Sequence, residues 1–207
     1  MFGLETASRF LEKWNTSFKE NVIKEAKTLN PSAFLLQILK FAEKNNGDIN
    51  NEAKKWDSDI ASLLLLLHLL APQPSGRKRA DKISVRDAVN RLLKFEKVLD
   101  FFLTMSCRSL EDHLSEVEDR QPYLLATGQT KADELKFYIV VDKNLIPCQA
   151  STSLGAFDEL FKVFGAQYDP SLSNMFTFIQ TTVYKIHPRT SSQSSRTREL
   201  RAKLLNN

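Results

Sequence analysis

Three histidines, two cysteines and several closely spaced acids are the groups in this sequence whose types could support chemistry near neutral pH. His68, His113 and His187 share no H-x-x-x-H spacing, and Cys107 and Cys148 form no C-x-x-C, so no zinc ligand set falls on one helical turn or hairpin. Cys148 is a candidate nucleophile only if folding brings a base to it, because the thiolate and not the thiol attacks; His113 or His187 would have to be that base. His68 lies within a leucine run and reads as a packed core or interface histidine. The pairs Asp57/Asp59, Glu116/Glu118 and Asp158/Glu159 stand one or two positions apart, which points them away from each other on a helix. They read as solvated faces, not as an acid/base dyad. The chain has six glycines and none of the motifs G-x-x-x-x-G-K-[ST], G-x-G-x-x-G or G-x-S-x-G. The expectation is therefore a non-enzymatic protein with no catalytic residue, no metal and no cofactor. A cysteine hydrolase built on Cys148 is kept as an alternative.

Charge supplies the second set of candidates. The net charge is +4, but it is uneven: residues 77–108 hold nine basic and four acidic side chains, and residues 185–207 hold six and one. Such asymmetry suits an acidic partner, or self-association through opposite patches. The contact candidates are Arg77, Lys78, Arg79 and Lys82 in one segment and Arg198, Arg201 and Lys203 in the other. The Arg77–Arg79 cluster is shorter than a localisation or nucleic-acid patch, and no stacking aromatic lies between Gly76 and Arg91. A protein partner or a second copy of the chain is thus expected first, with nucleic acid as the alternative.

The elements that must position these groups follow from periodicity. Phe10, Leu11, Trp14, Phe18, Val22 and Ala26 recur every three to four residues, which predicts a helix over about 6–28. Pro31 is placed to open a second helix carrying Phe34, Leu35, Ile38, Leu39 and Ala42, closed near Asn45-Asn46-Gly47. A third covers 51–70. Its apolar run IASLLLLLHLLA is twelve residues long, against about 20 for a membrane span, so it reads as a buried helix. Pro72 and Pro74 end it, and PQPSGRKRADK (72–82) reads as an exposed loop.

Ser84 and Asp87 have capping-box spacing. Beyond them Val85, Ala88, Leu92, Phe95, Leu99 and Phe102 step by three and four, which predicts one helix with a heptad seam, a candidate dimer interface. After Pro122 the character changes. PYLLAT (122–127), LKFYIVV (135–141) and LIPCQA (145–150) read as strands, with Asp142-Lys143-Asn144 as the turn and Pro147 confining its strand to an edge or bulge. A helix bearing Phe157, Leu160, Phe161 and Phe164 follows. A second begins at Asp169-Pro170 despite the strand propensity of Thr181-Thr182-Val183, and RELRAKLL (198–205) is a short amphipathic end.

These readings give an α+β protein, mostly helical, with an N-terminal helical bundle and a small antiparallel sheet with packed helices. Its expected parts are a helical region over 1–71, a basic loop over 72–83, a helix-and-sheet module over 84–187, and a polar linker with an amphipathic segment over 188–207. The start MFGLETASRFLEKW has no charged stretch followed by an apolar run, so the cysteines are expected reduced and the protein intracellular, in nucleus or cytoplasm.

Several strings in this order resemble the C-terminal region of vertebrate proteins of the "sterile alpha motif domain-containing protein 3-like" family. They are WDSDIASLLLLLHLLA (56–71), KISVRDAVNRL (82–92), SCRSLEDHL (106–114), RQPYLLATG (120–128), FYIVVDKNLIPCQASTSLGAFDELF (137–161), FTFIQTTVY (176–184) and RELRAKLL. The likeness runs over roughly 34–205 and excludes the sterile alpha motif itself. VLDFFLTM (98–105) is an insertion relative to that pattern, and the stretch from Phe161 to Phe164 is shorter. The resemblance implies no activity and no catalytic residues.

Overall fold

A computed structural model describes residues 10–43, 56–72, 83–97, 122–131, 135–142, 144–164, 169–186 and 193–205. The described residues form a mostly helical α+β protein with a small four-stranded sheet. Two compact units share the chain, the first from 1–45, 58–89 and 170–207, the second from 46–57 and 90–169. The division is interleaved, where the sequence reading drew consecutive segments.

The first unit is helical. Its first stripe is α-helical over 10–13, widens to a π-helix at Trp14–Phe18, and continues as α1 (Lys19–Ala26). Helix α2 (Ala33–Ala42) starts at Ser32, whose hydroxyl accepts from the Leu35 amide at 3.1 Å. Helix α3 (Ser58–Leu69) is buried almost all round, from Ile60 through Leu67, as expected of a helix with no polar face. It packs on α1 and α2. No described helix is long and apolar enough to cross a membrane.

The chain returns to this unit with a 3-10 turn (Pro170–Leu172), α6 (Ser173–Phe178) and a π segment, Ile179–Val183. Thr181-Thr182-Val183 is thus helical but wide-wound, with Tyr184 N–H reaching back to Ile179 O. Phe10 stacks on Trp14 and on Tyr184, and Phe18 meets Phe178 edge-on at 6.3 Å. Helix α7 (Ser195–Leu205) packs on α6.

Helix α4 (Val85–Leu92) carries the predicted capping box: Ser84 Oγ accepts from Asp87 N at 3.1 Å, and Asp87 Oδ2 accepts from Ser84 N at 3.1 Å. Such a cap stabilises a helix start by about 1 kcal/mol. The expected helical seam through Val85, Ala88, Leu92, Phe95, Leu99 and Phe102 is corrected here. The helix stops at Leu92, and Leu93–Lys97 is strand β1. Leu93, Lys94, Phe95, Glu96 and Lys97 also fit a period of two, and pairing with a neighbouring strand decides between the two periods. Ala88 and Leu92 are fully buried, which removes them from any surface seam. Leu99 and Phe102 lie outside the described residues, as do Arg77, Lys78, Arg79 and Lys82 of the predicted loop.

In the second unit the strands are β1, β2 (Tyr123–Gly128), β3 (Lys136–Val141) and β4 (Asn144–Pro147), in that spatial order. The β2–β3–β4 pairs are antiparallel as expected, but β1 adds parallel to β2 and makes the sheet mixed. Asp142 turns the β3–β4 hairpin at φ 46°, a left-handed position that a short Asp side chain tolerates.

Cys148 N–H bonds Phe137 O at 2.9 Å, so alternate residues Ile146 and Asn144 face β3 while Leu145 and Pro147 turn their backbones to the open edge. The missing N–H of Pro147 therefore interrupts no ladder bond, and the edge is blunted against further pairing. Helix α5 (Ser153–Phe164) packs on β2 and β3.

Candidate functional site

Cys148 follows β4 and is half-buried. Burial, and then the charge of Glu159, push its thiol up to about 12. The neighbour that matters is an anion, where a nucleophilic thiol needs a cation or a base. Glu159 is itself committed: its two oxygens accept from Gln149 N at 3.0 Å and Ala150 N at 2.7 Å, holding the turn that enters α5. His113, His187 and Cys107 lie outside the described residues.

His68 is on α3 in the first unit, its ring 5.5 Å from that of Phe34, with the Arg86 guanidinium over the Phe34 ring at 5.0 Å. Burial lowers its pKa to about 4, so the ring is neutral at pH 7. The sequence implied a core histidine with its polar atoms satisfied. Packing is as expected, but Nε2 is buried with no hydrogen-bond partner among the described residues.

The acid pairs diverge in their partners. Asp57 Oδ1 accepts from Ser153 Oγ at 2.9 Å, whereas Asp59 pairs with Lys19. Asp158 pairs with Lys162 one turn on, while Glu159 holds backbone. Glu116 and Glu118 are outside the described residues. Among the described residues no group of three or more His, Cys, Asp or Glu side chains could hold a metal ion.

The basic C-terminal segment shows more organisation. Helix α7 buries Thr197, Leu200 and Leu204, the one-in-three-to-four spacing of its sequence. Arg196 Nε donates to Leu69 O at 2.6 Å, placing a cation at the negative C-terminal end of α3. Lys203 Nζ donates to Glu25 Oε1 at 2.6 Å and also meets Glu199 at 3.4 Å, and these carboxylates raise its pKa. Between α1, the end of α3 and α7 lies a cleft of ≈ 180 Å³, lined by Glu25, Leu29, Leu69, Arg196, Glu199 and Lys203 among others. Its acids and bases already neutralise one another. Of the three contact candidates on this helix, Lys203 is thus engaged within the fold. Arg198 and Arg201 have no ion-pair partner among the described residues, Arg198 being exposed and Arg201 partly so.

A second constellation was not legible beforehand. The ring of Trp56, just before α3 in the chain, meets that of Phe95 on β1 edge-on, centroids 6.1 Å apart and planes at 90°. Lys131, in the turn after β2, sets its ammonium 4.7 Å from the Trp56 centroid and 5.6 Å from that of Phe95. These three residues are separated by long stretches of chain, and Phe95 also fits a helical period, so no local pattern points to them.

No family model, no curated protein and no solved structure matches this chain.

Proposed function

We propose that the chain is a non-enzymatic interaction protein, and that the outer face of α7 docks an acidic surface of a protein partner. The supporting observation is the division of labour along that helix. Arg196 and Lys203 are tied to Leu69 and Glu25, whereas Arg198 and Arg201 have no ionic partner among the described residues. Guanidinium groups in that state match carboxylates in a bidentate fashion. Leu205, 55 % exposed at the end of the same helix, adds apolar contact beside them. The un-ionised state of Cys148 supports the non-enzymatic half of the reading, since a protonated thiol with an anion beside it is a poor nucleophile.

Nucleic acid is the second reading, favoured by the same arginines and by the basic stretch near residue 80. The two are separated with a polyglutamate peptide and a DNA oligonucleotide of equal charge, titrated against the full chain and an Arg198→Glu/Arg201→Glu variant. The expected result is at least about tenfold weaker peptide binding by the variant at low salt. Peptide affinity unaltered by the double substitution would remove α7 as the docking face. Binding of the oligonucleotide alone, falling steeply with salt, would replace the protein partner by nucleic acid.

A further inference from the structure

The Trp56–Phe95–Lys131 cluster lies wholly within the second unit and is independent of α7. Two rings at right angles form a corner, and an ammonium group sits in it against both. Lys131 has no ion-pair or hydrogen-bond partner among the described residues, where its charge is received by the two rings. The fold also fixes both walls. Asp57, next to Trp56, is held by Ser153, and Phe95 is locked in register opposite Ala126, whose small side chain crowds the ring least. Burial lowers the Lys131 pKa, because the ammonium has given up part of its water.

A corner of ring faces, with no carboxylate on the ammonium among the described residues, is poor for a compact, strongly hydrated ammonium and better for a methylated one. Methyl groups spread the charge and remove the N–H groups that need water, while the attraction to the ring faces persists. We propose that Trp56 and Phe95 form a recognition site for a methylated ammonium group, which Lys131 occupies as a tethered stand-in. Tethering gives the lysine a high effective concentration at the corner. An outside ligand must displace it, so the free chain holds its own site closed.

The probe is tetramethylammonium chloride, titrated against full-length Lys131→Ala and Lys131→Met variants with sodium chloride at matched ionic strength as control. The readout is the indole N–H resonance of Trp56, assigned by its loss in Trp56→Leu. Both variants are expected to bind the probe at least about tenfold more tightly than the native chain, with Trp56→Leu in either background abolishing the response. A folded variant that does not respond at concentrations saturating for other two-ring corners overturns the proposal. Equal response of native chain and variants overturns the stand-in role. If neither variant folds, Lys131 is a structural clamp and the site does not exist as a receptor. Where the probe binds, a trimethyllysine peptide and free choline in parallel titrations separate the two sources of such a group.

Discussion

The indole Nε1 of Trp14 donates to Ser62 Oγ at 3.0 Å, joining the first helical segment to the middle of α3 across 48 positions of chain. Both residues are fully buried, and Ser62 Oγ in turn donates to Asp59 O at 2.6 Å. A serine inside a leucine run is thereby explained: it is the acceptor for an indole N–H that has no water. Ser62→Ala should orphan that donor and cost about 1–3 kcal/mol. In a Trp14→Phe background, where nothing needs an acceptor, the same substitution should cost clearly less. Urea denaturation of the four proteins measures the coupling, and equal costs in both backgrounds would show that the hydrogen bond contributes nothing.

Gly155 allows the entry to α5. A Cβ there would stand 2.6 Å from Ala150 Cβ and 3.0 Å from Thr152 Oγ1, and Thr152 caps this helix by accepting from Gly155 N at 3.1 Å. Gly155→Ala should therefore lower stability by about 1–3 kcal/mol through overpacking, despite alanine's better helix propensity. Adding Ala150→Gly should recover a substantial part of the loss. Thermal denaturation of the single and double variants tests this, and no recovery would place the strain elsewhere.

Stability should fall on mild acidification because of His68. Its folded pKa of about 4 lies below the ordinary value of 6.5, so the unfolded chain takes up a proton first as the pH drops. The contribution is fully present above about pH 6.5 and is lost progressively toward pH 4. One proton corresponds to a slope of at most about 1.4 kcal/mol per pH unit, reduced here because the ring is only partly shielded from solvent. Between pH 7 and 5, His68→Leu should flatten the curve of unfolding free energy relative to the native chain. Identical slopes would mean that the ring titrates alike in both states.

Cys148 should be a sluggish thiol. In a Cys107→Ser background, alkylation at pH 8 should run at least about tenfold slower than for a free cysteine, rising only at strongly alkaline pH. Glu159→Gln removes the second cause of the raised pKa, so it should speed the reaction. Rapid, stoichiometric modification of Cys148 at neutral pH would revive the nucleophile that this environment argues against.

How much of this was legible depended on the range of the interaction. The Ser84–Asp87 capping box, the β3–β4 hairpin around Asp142 and the edge position of Pro147 rest on chemistry within a few residues, and spacing exposed them. Apolar periodicity likewise announced α1, α2 and α5, because a helix must bury one stripe wherever it ends up, and a continuous apolar run announced α3. Leu93–Lys97 shows the limit. Its side chains satisfy a period of 3.6 and a period of 2 over so short a stretch, and only the ladder to β2 selects the strand.

The sequence alone determined the helix-rich α+β class, the apolar stripes and the Ser84–Asp87 cap, since each follows from needs met within one segment. Tertiary structure decided the rest. It withdrew Ala88 and Leu92 from any seam, tied Lys203 to Glu25, and assembled Trp56, Phe95 and Lys131 into one corner. Those outcomes depend on which distant surfaces meet, and pairing across the chain leaves no periodicity to read.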